Sequence, residues 1–217
     1  MRFAPHAGIP EGTGWTTVGA LATRARLEPA LDDCGASFGT DRRDIQGQRL
    51  VEVVTWCLAV PAAHALLHEQ PTPDLSADNA LVWIGPDPPD GVAAALRTPR
   101  ATDTPARELL DAHLQPLIEA VHAATQRPRK ALRRAVKDRV DAAVAWVADL
   151  TGTRERALAL LAETADVRVF DAGTHDTLLH VRQGCCLYYR TPAAVKCFGC
   201  PLLSDDDRRR LVAGGGQ

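Results

Sequence analysis

Leu50-Val51-Glu52-Val53-Val54-Thr55-Trp56-Cys57-Leu58-Ala59-Val60-Pro61-Ala62-Ala63-His64-Ala65-Leu66-Leu67 is apolar at most positions, over nearly enough length to cross a membrane. A span needs about 20 uninterrupted apolar residues. Glu52, Pro61 and His64 interrupt this one. The stretch therefore reads as a core helix that is apolar on nearly all sides and is bent or broken at Pro61, where the ring removes a backbone donor. No stable membrane insertion is expected. Cys57 falls inside the helix as a buried thiol, and Cys34 ends an earlier helical stretch, Thr17 to Asp33, with no partner signal of its own.

The composition agrees with a globular reading. The chain has 217 residues, 46% of them hydrophobic and 24% charged, which supports a core of ordinary size. A net charge of -2 gives no general attraction to nucleic acid or acidic lipid. The N-terminal run Met1-Arg2-Phe3-Ala4-Pro5-His6-Ala7-Gly8-Ile9-Pro10 lacks an apolar stretch of signal-peptide length, so a cytoplasmic location is expected. In a reducing compartment, six cysteines are read as ligands or buried thiols before disulfides.

Downstream of the apolar helix, Asn79 to Gly85 reads as a strand, Pro86 to Gly91 as a turn and Val92 to Leu96 as a returning strand. A polar segment from Arg97 to Pro105 leads to a helix in which Leu110, Leu114, Leu117, Ile118 and Val121 form one stripe. His113 lies near that stripe and reads as a core histidine. Pro128 starts another helix, striped by Leu132, Val136, Val140, Val144 and Val147, and a third helical piece covers residues 153–164. The opposite face of the Pro128 helix carries Arg127, Arg129, Lys130, Arg133, Arg134, Lys137 and Arg139. It reads either as a solvated face diluted by Asp138, Asp141 and Asp149 or as a dock for an acidic protein. Without interleaved aromatic residues it does not read as a nucleic-acid surface.

Val167 to Phe170 and Thr177 to Gln183 read as a strand pair, turning at residues 172–176 and delivering Gly184, Cys185 and Cys186. Adjacent side chains on a regular strand point to opposite faces, so the chain must leave strand geometry at the cysteine pair, with Gly184 freeing the backbone. Ten residues later comes Cys197-Phe198-Gly199-Cys200-Pro201, a knuckle of metal-binding type. Four thiolates can close around one zinc ion or one [2Fe-2S] cluster; the adjacent pair is an unusual zinc half-site and tilts the reading toward iron and sulfide. A strained vicinal disulfide at Cys185 and Cys186 is disfavoured. Ser204, followed by three aspartates and three arginines, reads as a capped short helix.

Arg182-Gln183-Gly184-Cys185-Cys186-Leu187-Tyr188-Tyr189-Arg190, followed by Cys197-Phe198-Gly199-Cys200-Pro201-Leu202, resembles the C-terminal signature of the FhuF-like ferric-siderophore reductases. Val181 and Phe198 depart from the usual pattern without removing a cysteine. The resemblance implies that Cys185, Cys186, Cys197 and Cys200 bind a [2Fe-2S] cluster, with Arg182, Tyr188, Tyr189, Arg190 and Lys196 as candidates near it. It implies one-electron reduction of a ferric siderophore, of the hydroxamate type, in which Fe(II) is released because hard oxygen donors hold it weakly. No glycine-rich dinucleotide loop follows a strand, so the electron is expected from a ferredoxin or an NAD(P)H-dependent reductase. The competing readings are a zinc-stapled binding module and an iron-sulfur sensor. The expected fold is α+β, a mainly helical body around a small antiparallel sheet (residues 1–166), with a C-terminal hairpin and cysteine lobe (residues 167–217).

Overall fold

The computed structural model describes residues 14–84, 94–104, 106–171 and 176–213. Its centre is the apolar stretch, which forms the long helix α3 (Arg43–Leu67), after β1 (Trp15–Thr17), α1 (Val18–Leu21) and α2 (Arg24–Phe38). Because its apolar residues are not confined to one stripe, α3 buries itself on all sides: Ile45, Leu50, Val51 and Val54 are fully buried. By length and composition alone α3 could cross a membrane, but 72% of its most apolar window is buried inside the body. The expected break at Pro61 does not occur. Pro61 is itself buried, and α3 continues through it to Leu67, so packing on both sides offsets the lost backbone bond.

After α3 come β2 (Thr72–Pro73), β3 (Ala80–Trp83), β4 (Ala94–Leu96) and β5 (Ala101–Thr102), then α4 (Ala106–Thr125), α5 (Arg129–Thr151) and α6 (Arg154–Leu161). The stripes read from the sequence face α3: Leu110, Leu114, Leu117, Ile118 and Val121 are buried on α4, as are Leu132, Val136, Val144 and Val147 on α5. His113 is half-buried at the edge of its stripe. The helix expected from Thr17 to Asp33 is two helices, because Thr17 ends β1 and caps α1, its hydroxyl accepting from Ala20 N at 3.1 Å. Cys34 lies in α2 rather than after it.

The fold is mainly helical α+β, and among the described residues its strands form three small antiparallel sheets: β1-β3-β4, β2-β5 and the pair β6 (Asp166–Asp171) and β7 (Asp176–Val181). The turns expected at 86–91 and 172–175 lie outside the described residues. In the first sheet Trp15 stands opposite Trp83, and their rings meet edge to face at 5.8 Å. The β6-β7 pair is in register from Asp166↔Val181 to Phe170↔Thr177, and β7 lies against α5. The last helix, α7 (Asp205–Ala213), packs on β6 and is capped as the sequence indicates, with Ser204 Oγ accepting from Asp207 N at 3.2 Å. β7 thus lies on the helical body through α5, with α7 on its partner strand β6, and the cysteines begin where β7 ends.

Candidate functional site

Two carboxylates of the helical body reach the chain where β7 ends. Asp138 of α5, fully buried, accepts backbone N–H groups from Gln183 at 2.8 Å and Gly184 at 3.0 Å, and its Oδ1 lies 3.2 Å from His180 Nε2. A single side chain therefore fixes the turn into Cys185. Glu52 of α3 is also fully buried and accepts from Gln48 at 2.9 Å, Arg49 at 2.6 Å, Arg139 at 3.0 Å and Arg182. Burial pushes its carboxyl up, but the three guanidinium groups outweigh that and hold it at about 2. Burial alone would weaken Arg182 as a base; Glu52, with Cys186 and Cys197 beside it, raises it instead.

Arg182 is therefore the link between body and cysteines. Its backbone N–H donates to the Gly199 carbonyl at 2.9 Å, which docks the second cysteine knuckle on the end of β7. Gly199 serves that approach: a Cβ there would stand 2.5 Å from the His180 carbonyl oxygen. Gly184 is required for a related reason, since a Cβ would lie 2.8 Å from Arg134 Cδ. The chain leaves strand geometry at the cysteine pair, as expected, and the left-handed backbone falls at Leu187, with φ 63°, where it starts the 3₁₀ turn Tyr188–Arg190.

The six cysteines are free thiols. The fold brings Cys186 and Cys197 together, with their sulfurs 3.6 Å apart. Two thiolates on one tetrahedral centre with bonds of about 2.3 Å stand about 3.7 Å apart, so this pair already has ligand spacing. The hydrogen bond from Cys197 draws the Cys186 thiol down to about 6, against burial and Glu52 and with help from Arg182. The same bond and burial lift Cys197, so the two thiols titrate as a pair. Cys185 is half-buried and accepts from Leu187 N at 3.4 Å; Cys200 is buried, and its carbonyl accepts from Arg208 at 2.7 Å. The four thiols do not meet at one point: among the described residues no three of His, Cys, Asp and Glu are grouped to hold one ion. A pair is what each iron of a two-iron cluster takes, and the donor set of four thiols with a neutralising arginine fits such a cluster.

Residues 182–202 match the family model described as the FhuF 2Fe-2S C-terminal domain. This terminal segment is similar to the FhuF-type iron-sulfur domain. A comparison of the whole chain with curated proteins finds no match. The matched segment begins at Arg182, the residue anchored to Glu52, and spans all four cysteines. Its cofactor is a [2Fe-2S] cluster.

The other residues singled out from the sequence separate in the structure. Tyr188 packs edge to face with Phe38 at 6.1 Å, and the Arg49 guanidinium lies over both rings. Tyr189 accepts from Arg190 Nε at 3.0 Å, and Lys196 is exposed. Beside Cys197 the body and the hairpin form a half-open cavity of about 460 Å³, whose lining includes Trp56, Trp146, Arg139, His180, Tyr188 and Phe198. Glu52, Asp138 and the Trp56-Trp146 pair, with rings 5.5 Å apart, were not singled out for function in the sequence. One signal was present: a lone glutamate inside an apolar helix must find a buried partner.

Proposed function

We propose that this protein is a ferric-siderophore reductase. The observation that carries the reading is the cavity beside Cys197, because a ligand site touching one of the four cysteines allows transfer over a short distance. Its volume of about 460 Å³ suits part of a ferric chelate rather than a protein partner. In this reading Cys185, Cys186, Cys197 and Cys200 hold the [2Fe-2S] cluster, which supplies one electron at a time. Asp138 fixes the backbone entering the first cysteine pair, and Arg182 offsets thiolate charge while Glu52 keeps it in place.

Trp56, Trp146, Tyr188 and Phe198 give the cavity aromatic walls that exclude water and accommodate the apolar arms of a hydroxamate chelate. Arg49 and Arg139, tied to Glu52, add fixed positive charge at the same wall. The bound Fe(III) is the substrate, and its reduction to Fe(II) weakens its hold on hard oxygen donors, so reduction is also release. No proton transfer by the protein is required. The electron comes from an external carrier, a ferredoxin or an NAD(P)H-dependent reductase, in the cytoplasm.

The test begins with iron, zinc and acid-labile sulfide in anaerobically purified protein, together with the visible spectrum, for the natural chain and for Cys186→Ser. Equal iron and sulfide, with colour lost in the variant, are expected. Reduced protein mixed with a ferric hydroxamate should then yield Fe(II) trapped by a ferrous-specific chelator. Zinc without sulfide would overturn the reading in favour of a stapled binding module, and a cluster that leaves ferric chelates untouched would overturn it in favour of a sensor.

A further inference from the structure

The cationic face read from the sequence divides into two sets. Arg129 and Arg133 pair with Glu119, Lys137 with Asp141 and Arg139 with Glu52. Arg127, Lys130 and Arg134 of that face, and Arg190 of the 3₁₀ turn beyond it, have no carboxylate partner among the described residues; Arg127 donates to Gln48 and Arg190 to Tyr189. Asp138 and Asp141, which seemed to dilute the face, are 1% and 3% exposed and point into the body. The solvent side of α5 is therefore more positive than its sequence suggests.

These unpaired cations gather at one end of the cysteine segment. The stem of Arg134 lies against Gly184, the residue before Cys185. Arg127, made less basic by burial, has part of that restored by Asp44 and by Cys185; Arg190, more basic chiefly through Tyr189, also responds to Cys185. Lys130 lies one helical turn before Arg134 on the same exposed face of α5. Like charges at that spacing destabilise a helix, and no acid offsets them here. Two carboxylates come near this group and both are engaged: Asp44 is bonded to Arg42 at 3.0 Å, and buried Asp138 accepts the backbone N–H groups of Gln183 and Gly184.

We propose that the rim formed by Arg127, Lys130, Arg134 and Arg190 around Cys185 is the docking surface for an acidic one-electron carrier protein. The proposal rests on the reading that the cysteine segment holds the cluster. Lys130, Arg134 and Arg190 are exposed and Arg127 is half-buried beside them, a charged rim that suits the acidic patch of a protein, whereas the cavity lies at Cys197. The carrier loses one electron and the cluster gains it, with no bond made or broken. Donor and chelate then approach at different cysteines, so that neither has to leave before the other binds.

The test uses the cluster-loaded protein and an acidic plant-type [2Fe-2S] ferredoxin as probe. Binding of the oxidised proteins is measured by calorimetry at about 20 mM and about 300 mM ionic strength, where screening of exposed charges differs strongly. Reduction by the reduced probe is followed by anaerobic stopped flow. Lys130→Glu with Arg134→Glu should weaken low-salt binding and slow electron delivery by about tenfold or more, and the difference from the natural chain should close at high salt. Lys130→Glu alone, whose side chain does not touch Gly184, should give a smaller change in the same direction and keeps the test intact if the double variant loses its cluster. Absence of low-salt binding, binding indifferent to salt, or variants that bind as the natural chain does would each overturn the proposal. Failure of the reductase reading is seen separately, when chemically pre-reduced natural protein is not reoxidised by a ferric hydroxamate.

Discussion

Replacing Glu52 by Gln preserves the shape of the side chain and removes the only charge that three buried or half-buried arginines share. At about 1.4 kcal/mol for each tenfold change in proton affinity, holding this carboxyl at about 2 rather than 4.5 corresponds to a stabilising contribution of about 3 kcal/mol. Breaking a buried ion pair by removing one partner costs a similar about 3–5 kcal/mol, because the remaining charges stay buried. For a chain of this size such a loss lowers the melting temperature by roughly 6–12 °C. The pH dependence follows from the direction of the shift. A carboxyl whose affinity for protons is lowered by folding stabilises the fold above its unfolded value, and that stabilisation disappears as pH falls from about 5 to about 2. Anaerobic thermal melts of natural chain and Glu52→Gln between neutral and acid pH should show a wide gap at neutral pH that closes toward pH 2, with far-UV circular dichroism confirming the fold. Equal melting temperatures at pH 7, or parallel acid profiles, would refute the assignment of Glu52 as the anchor of Arg182.

Asp138→Asn should retain the helices but loosen the turn into Cys185, because a neutral acceptor binds the two backbone N–H groups more weakly; iron retention against a competing chelator should fall by about tenfold or more. Unchanged iron retention would show that the turn is fixed without it. Burial pushes Cys34 and Cys57 up to about 12 each, so in native metal-free protein at pH 8 a thiol reagent should label neither, and both should react after unfolding. Rapid native labelling of Cys57 would contradict the packing of α3.

The strong periodic patterns of the sequence correspond to what the structure contains. The stripes of α4 and α5 and the β6-β7 pair were legible because each carries enough residues to define a period. The short strands β1 and β5 were not: with three and two residues they have no pattern of their own, and each exists because another strand pairs with it. The break offered at Pro61 as an alternative to a bend does not occur, because the local rule takes no account of what packs around the ring. At the site, the four cysteines were evident from spacing, and the terminal motif was recognisable over the segment that the family model matches. The groups holding that segment were hidden by their distance along the chain. Glu52 looked like an interruption of an apolar run and Asp138 like a surface acid, and only the tertiary fold turns both inward.

The bond between Arg182 and Glu52 joins residues 130 positions apart. Closing a loop of that length is entropically costly and rewarded only when the intervening helices are in place, so this contact belongs to a late stage of folding. The cysteine segment therefore acquires its native shape last, after the body exists to receive it. A body that loses the Glu52–Arg182 and Asp138–Gly184 bonds would accordingly lose the arrangement of the cysteines with them.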